Sequence, residues 1–324
     1  MVVHAYYPLG EVRVEREAAA LIQDGFEVDV ICLKEGDEPL EEQIDGIHIY
    51  RQPVKRHRGK GQFLQLMEYL AFFTLAFIKL TSLHLKNRYS SVQVHNLPDF
   101  LVFCAIVPKL TGTPVLLDLH DLMPEFFAAQ QESGMDSLSV SLLKLQERVS
   151  CAFADRVITV TELWKNTLIQ RGVPANKISV VMNVADPHVF VRSAESRKRS
   201  SPNGSFKLIY HGTITQRYGA DLLLQAVHTL SSEIPGLHVT IHGKGEFLDE
   251  LEQIARDLEL GDAVHFSTEY LPTQELPRMI LDSDLGIVPY RSNIFTDGIL
   301  PTKLMEYVAL GIPVVASRTP AIES

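Results

Sequence analysis

The sequence predicts an α/β protein built as two doubly wound domains, each a parallel sheet covered by helices, with a cleft between them. Three observations predict this. Apolar strand-like runs alternate with helix-period segments twice along the chain, and a βαβ series of that kind calls for parallel strands joined by right-handed crossovers. A polar stretch over 192–204, rich in charge and serine and punctuated by Pro202 and Gly204, separates the two series. The length, 324 residues, is about two domains' worth.

The first series opens with a strand over 2–6 and a helix over 12–24, whose apolar side carries Ala18, Ala19, Leu21 and Ile22. Gly25 stops that helix, and 26–32 is the next strand. A strand over 47–50, a long apolar helix centred on 70–78, and a strand over 91–95 continue the pattern. A helix over 98–110, a strand over 114–120, a helix over 138–154, a strand over 156–160, a helix over 161–171 and a strand over 178–182 complete it. The second series has strands over 206–211, 237–242, 264–266, 285–289 and 313–317, with helices over 221–230, 247–258, 274–281 and 302–310 between them.

Composition narrows the function classes. Hydrophobic residues make up 46% and charged residues 22%, an ordinary globular balance. Lys+Arg 30 against Asp+Glu 40 gives a net charge of -10, which argues against a broad nucleic-acid footprint but leaves room for a small anionic ligand in a local pocket. Cys32, Cys104 and Cys151 are scattered and form no Cys-x-x-Cys pair, so buried thiols in a reducing compartment are expected. Met1 leads straight into a strand, with no leader pattern before it, and a cytoplasmic location is expected. Glu68 and Lys79 interrupt the apolar segment over 63–85, leaving fewer than the ~18 consecutive apolar residues of a spanning helix. A buried or interfacial helix is expected there. The basic run Lys55-Arg56-His57-Arg58-Gly59-Lys60 beside it is either a solvated loop or a peripheral dock for anionic lipid at the inner face of a membrane.

Open parallel sheets bind ligands at the carboxyl ends of their strands, so the loops there carry the candidates. After the strand over 285–289, Pro301 stands where a first helical turn accepts it, and the amides over 298–302 face out at a helix N-terminus, an anion-binding arrangement. Lys303 and Glu306 lie three apart on one helix face, a cation for a diphosphate and a carboxylate for sugar hydroxyls, or simply a surface ion pair. Gly212 and Gly219 bound a strand–helix turn that carries Thr213 and Arg217. Gly243-Lys244-Gly245 follows another strand but lacks the third glycine of a dinucleotide fingerprint. His120-Asp121 ends a strand, as does His95 with less support, and neither belongs to a metal-ligand spacing or a nucleophile elbow.

Several separated motifs occur in one order: Tyr6-Tyr7-Pro8 with Arg13 and Glu15-Arg16-Glu17; His120-Asp121; Asn183 and Asp186; Gly212-Thr213 with Arg217 and Gly219; Gly243-x-Gly245-Glu246; and Lys303-Leu-Met-Glu306-Tyr-x-Ala-Leu-Gly311-x-Pro313-Val-Val-Ala-Ser317. Together they resemble the retaining, metal-independent glycosyltransferases of family 4, which have the GT-B fold. The resemblance implies two Rossmann-like domains: an acceptor-side domain over 1–190, a linker over 191–205, and a nucleotide-sugar-binding domain over 206–324. It implies that Glu306 grips the nucleotide ribose, that Arg217 and Lys303 meet the donor diphosphate, and that His120 lies close to the transferred sugar. The donor site then includes Gly212, Thr213, Gly243, Tyr270, Asp297, Gly298, Ile299 and Leu300, with the base near Tyr270. No metal and no cofactor beyond the donor substrate is implied.

The family pattern breaks in places. Its Glu-x7-Glu pair, counted back from Glu306, falls on Gly298, with Asp297 one position off. Tyr218 stands where a basic residue precedes Gly219, and Asn183-Val184 replaces Asn-Gly. The chain ends at Ser324, before the further α/β units and terminal helix of the family, so an incomplete second domain is expected. The expected activity is retaining transfer of a hexose from a nucleoside-diphosphate sugar to a hydroxyl acceptor, sugar or lipid-linked, in glycan or cell-envelope polysaccharide synthesis. The alternatives are a catalytically weak nucleotide-sugar-binding module and a sugar-nucleotide epimerase of the same fold.

Overall fold

The computed structural model describes residues 1–8, 11–57, 61–131, 134–192, 204–269 and 271–323. The chain divides into two compact units, Met1–Met182 and Asn183–Ser324.

The first unit holds the strands β1 (Val2–Tyr6), β2 (Asp29–Leu33), β3 (Glu41–Ile44), β4 (Ile47–Gln52), β5 (Val92–His95), β6 (Val115–Leu119), β7 (Arg156–Thr159) and β8 (Ile178–Val180). They form one sheet in the order β3-β4-β2-β1-β5-β6-β7-β8. Successive residues Val2, Val3, His4 and Ala5 of β1 are all buried, as only a sheet covered on both faces allows. Its helices are α1 (Val12–Gln23), α2 (Gln62–Asn87), α3 (Ile106–Leu110), α4 (Met123–Gln130), α5 (Leu138–Phe153) and α6 (Glu162–Gln170). Strand order reverses at β1, which pairs with β2 on one side and β5 on the other.

Three elements differ from expectation. β3 pairs antiparallel with β4 through Asp45-Gly46, both at positive φ, a two-residue hairpin turn that matches strand twist. Its exposed Glu41, Glu42 and Gln43 gave no apolar alternation to read. The segment over 98–110 forms a 3₁₀ helix, Asp99–Ala105, before α3 begins. After His120 the chain enters α4, with Pro124 in its first turn.

Helix α2 is long and apolar enough to cross a membrane by length and composition. One side of it is packed: Phe72, Ala76 and Leu80 are buried. Glu68 is buried too, 3.1 Å from His4 Nε2 on β1 and accepting from the His57 amide. The opposite side exposes Phe63, Met67, Leu70, Ile78 and Leu85 at helical spacing.

The second unit carries β9 (Phe206–His211), α7 (Ala220–Leu230), β10 (Leu237–His242), α8 (Leu248–Asp257), β11 (Val264–Ser267), α9 (Leu276–Leu281), β12 (Leu285–Val288), α10 (Thr302–Leu310), β13 (Val314–Ala316) and α11 (Pro320–Glu323). The sheet order is β11-β10-β9-β12-β13, parallel throughout. Leu208 and Tyr210 of β9 join the core on one face, with Leu224, Ile241 and Leu251. Ile209 joins the core on the other, with Val288, Tyr307 and Phe190. Phe190 explains why the unit begins at Asn183 rather than after residue 190: its turn, with Phe190 N donating to Asp186 O at 2.8 Å, folds an apolar ring into this second core. Residues 193–203 of the expected linker lie outside the described residues.

Strand order reverses again at β9, which pairs with β10 and β12. The loops leaving β9 and β10 are fused backbone to backbone. Gly212 N donates to His242 O at 2.9 Å and Ile214 N to Lys244 O at 2.9 Å. Gly243 sits at φ +146, and a Cβ there would lie 1.9 Å from Gly212 O. Gly243→Ala should therefore destabilise the second unit by about 2 kcal/mol or more, because backbone must move to admit the methyl. Urea unfolding checks this against Gly134→Ala, where a Cβ meets nothing within 4 Å and stability should be unchanged or slightly raised.

Candidate functional site

The loops at the second sheet's reversal point gather most of the expected donor-site residues, and Lys303 is their centre. α10 starts just after the β12 loop, so its first turn faces the end of β9. The Lys303 side chain is buried, yet Nζ has no hydrogen-bond partner among the described residues. It lies 3.8 Å from the Tyr210 ring centroid, 5.4 Å from that of Tyr290 and 5.8 Å from that of Tyr218. Tyr218 and Tyr290 stack at 4.4 Å. Burial lowers the Lys303 pKa to about 7, against the opposing pull of Glu306. A Cβ on Gly212, at φ +111, would stand 3.3 Å from Nζ, so glycine at this position lets the ammonium pack directly against the loop backbone.

Glu306, one turn further along α10, is buried with its Oε2 3.3 Å from His211 Nε2. Burial, then Lys303 and His242, push the His211 pKa well below the usual imidazole range, so a neutral ring faces the carboxylate. Tyr307 braces the group from behind, edge-on to His211 at 5.1 Å and donating its hydroxyl to Ile209 O at 3.2 Å. A Cβ on Gly286 would collide with the Tyr307 ring at 2.5 Å, which fixes how closely α10 approaches the sheet.

The loop before α10 is stiffened by its own side chains. Asn293 Oδ1 accepts from the amides of Phe295 at 2.9 Å and Thr296 at 3.0 Å. Ser292 Oγ donates to Asp297 Oδ1 at 2.7 Å. Arg291 donates twice to Asp221, at 2.6 and 2.5 Å, tying the loop to the first turn of α7. Gly219 at φ +68 opens α7, where a Cβ would fall 1.9 Å from Pro289 O.

This geometry corrects two expectations. The amides of Gly298 and Ile299 are not free: they donate to Phe295 O and Thr296 O in a 3₁₀ turn over Thr296–Gly298. The amides of Leu300, Thr302 and Lys303 remain without a backbone acceptor among the described residues. Pro301 stands immediately before the helix rather than within its first turn. Thr213 is exposed, and Arg217 is half-buried with its guanidinium 5.8 Å from the Phe295 ring centroid. Tyr270 lies outside the described residues.

In the first unit, His120 follows β6, half-buried. Burial opposes its charging, but Glu11, Asp121 and Asp118 outweigh that and raise its pKa. Asp118 Oδ2 accepts from Arg13 Nε at 2.8 Å and lies 3.3 Å from His95 Nδ1. Burial would raise the Asp118 pKa, but the hydrogen bond to His95 and the charges of His95, Arg13 and His120 hold it well below the usual carboxylate range. Arg13 also reaches Val181 O at 3.0 Å and Glu17 Oε1 at 3.1 Å. The side-chain ligand atoms of His95, Asp118 and His120 lie within 4.8 Å of one another, a convergence that the sequence spacing did not reveal. With the Arg13 guanidinium on Asp118, this cluster carries its own cation.

Sequence reasoning missed His211, the Arg291–Asp221 pair and the three-tyrosine surround of Lys303. The position of His211 and Tyr290 at or just beyond strand ends was the one available signal.

The Glycosyl transferase 4-like domain family matches residues 10–183, and Glycosyl transferases group 1 matches residues 191–324. A chitobiosyldiphosphodolichol beta-mannosyltransferase of Candida albicans is 23% identical over 308 residues, covering 88% of this chain and 66% of that protein. The amylovoran biosynthesis glycosyltransferase AmsK of Erwinia amylovora is 27% identical over 165 residues, covering 50% of this chain and 39% of that protein. The chain thus spans less than two thirds of the length of either relative. Among solved structures, sucrose-phosphate synthase from Thermosynechococcus elongatus superposes with a TM-score of 0.73 at 19% identity, covering 96% of this chain and 76% of that one. Anabaena Alr3699/HepE in complex with UDP-glucose gives 0.68 at 16% identity, covering 99% and 81%. These structures establish the GT-B fold of two Rossmann-like sheets, and the match over residues 10–183 shows that the chain belongs to the glycosyl transferase 4-like family, with a second half that matches glycosyl transferases group 1.

Proposed function

We propose that the chain transfers a hexose from a nucleoside-diphosphate sugar to a hydroxyl acceptor, with retention of anomeric configuration, in glycan or cell-envelope polysaccharide synthesis. One observation carries this: a buried ammonium, Lys303 Nζ, without a hydrogen-bond partner among the described residues, at a helix start whose Leu300, Thr302 and Lys303 amides have no backbone acceptor among those residues. A buried cation held that way is an electrostatic receptor for the charge that develops on a departing diphosphate. The C–O bond to the diphosphate breaks through an oxocarbenium-like state, and the acceptor oxygen forms the new bond while its hydroxyl proton passes to an oxygen of the departing diphosphate. Lys303, Arg217 and the α10 amides stabilise the leaving group; Glu306 takes the ribose hydroxyls; His120 attends the transferred sugar. Gly212, Thr213 and Leu300 complete the donor surround, while Gly243 holds the Gly212 loop in place. No metal or further cofactor is required in this scheme.

The AmsK and beta-mannosyltransferase names support a polysaccharide or lipid-linked acceptor, and the UDP-glucose bound by Alr3699/HepE supports a nucleotide-sugar donor. A panel of UDP-, GDP- and ADP-sugars, read by calorimetry and by product formation, tests the assignment. Donor binding should weaken about 10- to 100-fold in Glu306→Ala, as for loss of a charged hydrogen-bonding group. Unchanged affinity would remove Glu306 from the site, and binding without turnover would favour the binding-module alternative.

We further propose a cytoplasmic enzyme that docks peripherally on the inner face of a membrane through α2. Its exposed Phe63, Met67, Leu70 and Ile78 adjoin the basic Lys55 and Arg56, a combination suited to an anionic interface. Residues 58–60 of the basic run lie outside the described residues. Sedimentation with anionic vesicles should retain the chain, and Phe63→Asp with Leu70→Asp should release it; equal retention of the double variant would contradict the proposal.

A further inference from the structure

A second basic site lies at the opposite rim of the first sheet. The residues preceding β6, β7 and β8 meet at the strands' amino ends, whereas His95 and His120 lie at the carboxyl ends. A cavity of about 310 Å³ opens there, lined by Lys109 at the end of α3, Arg156 at the start of β7 and Lys177 just before β8, with Asp155 the one acid in its wall. That volume sits at the small end of the range for ligand pockets.

The hydrogen-bond count shows what the pocket lacks. Lys109 Nζ donates once, to Asp155 Oδ1 at 2.8 Å. Lys177 Nζ donates once, to Ala152 O at 3.1 Å, and Arg156 NH1 once, to Asn176 O at 2.9 Å. An ammonium has three N–H donors and a guanidinium five, so each group keeps most of its donors for a ligand. Asp155 cannot neutralise the set, because its Oδ1 serves Lys109 and its Oδ2 accepts from the Val115 amide at 2.9 Å. Three cations and one committed carboxylate leave two positive charges around a small concavity. Burial, with Lys109 adding repulsion, lowers the Lys177 pKa, as expected where an anion would relieve both.

We propose that this cavity binds a phosphate group, held by Lys109, Arg156 and Lys177, at a site separate from the proposed donor pocket. Planar guanidinium and paired ammoniums suit the several acceptor oxygens and double charge of a phosphomonoester. The phosphate is either free in solution or borne by a membrane lipid; the exposed Leu110, next to Lys109, offers apolar surface beside it.

The test uses the full chain carrying Lys303→Met, so that the donor pocket does not contribute. Inorganic phosphate is titrated calorimetrically at constant ionic strength, and flotation is measured with vesicles of phosphatidic acid in phosphatidylcholine. Saturable phosphate binding should weaken by about tenfold or more in Lys109→Ala with Lys177→Ala, as for loss of charged hydrogen bonds. Retention on phosphatidic acid vesicles alone, lost in the same double variant, would support the site and assign its phosphate to lipid. Absence of binding to both probes, or equal binding by the double variant, would overturn the proposal.

Discussion

The second unit is organised around one buried charge. Lys303 places an ammonium among three tyrosine rings, with the neighbouring carboxylate of Glu306 set against His211 instead. Burying an ammonium without a hydrogen-bonded anion is costly, and proteins commonly respond by shifting the group's pKa. Here the value falls from 10.5 to about 7. The sign follows directly. Below about pH 7 the amine is charged in folded and unfolded chain alike and the burial cost is fully present; between about 7 and 10.5 the folded chain sheds the proton and the cost is progressively relieved. A bound diphosphate would relieve it at neutral pH, since it supplies the missing anion.

The residues nearby fix the position of that buried ammonium. Tyr307, wedged against Gly286, sets the depth of α10. Gly212 makes room for Nζ beside its backbone, and its loop is held by the glycine-to-glycine contact with Gly243. The Arg291–Asp221 pair anchors the β12 loop, and the Asn293 side chain shapes its turn. In the first unit a comparable economy surrounds His120. Arg13 reaches from α1 to hold Asp118, and Asp118 in turn helps hold the His120 ring in a readily charged state.

Much of this was legible in the sequence, for identifiable reasons. Parallel strands buried on both faces leave continuous apolar runs, so the two strand–helix series could be read directly. The Lys303–Glu306 spacing correctly put both groups on one helix face. It could not show that they face different partners, because Tyr210 and His211 come from a distant strand. The β3–β4 hairpin carried a clear Asp45-Gly46 turn signal, obscured by the exposed acids of an edge strand. Gly298 and Ile299 were misjudged as free donors because a short 3₁₀ turn, unmarked by periodicity, consumes their amides. The Arg291–Asp221 and Arg13–Asp118 pairs join remote positions and left no local trace.

The most direct measurement is the titration of Lys303 itself, followed by lysine Cε–Hε NMR in the full chain and assigned with Lys303→Met. One lysine signal should titrate near pH 7 in the free chain and move upward by about one unit or more when a nucleoside diphosphate saturates the site, as an anion contact requires. A Lys303 signal that titrates in the ordinary lysine range, or a low titration unmoved by any nucleoside diphosphate, would contradict the ammonium's role as the donor grip.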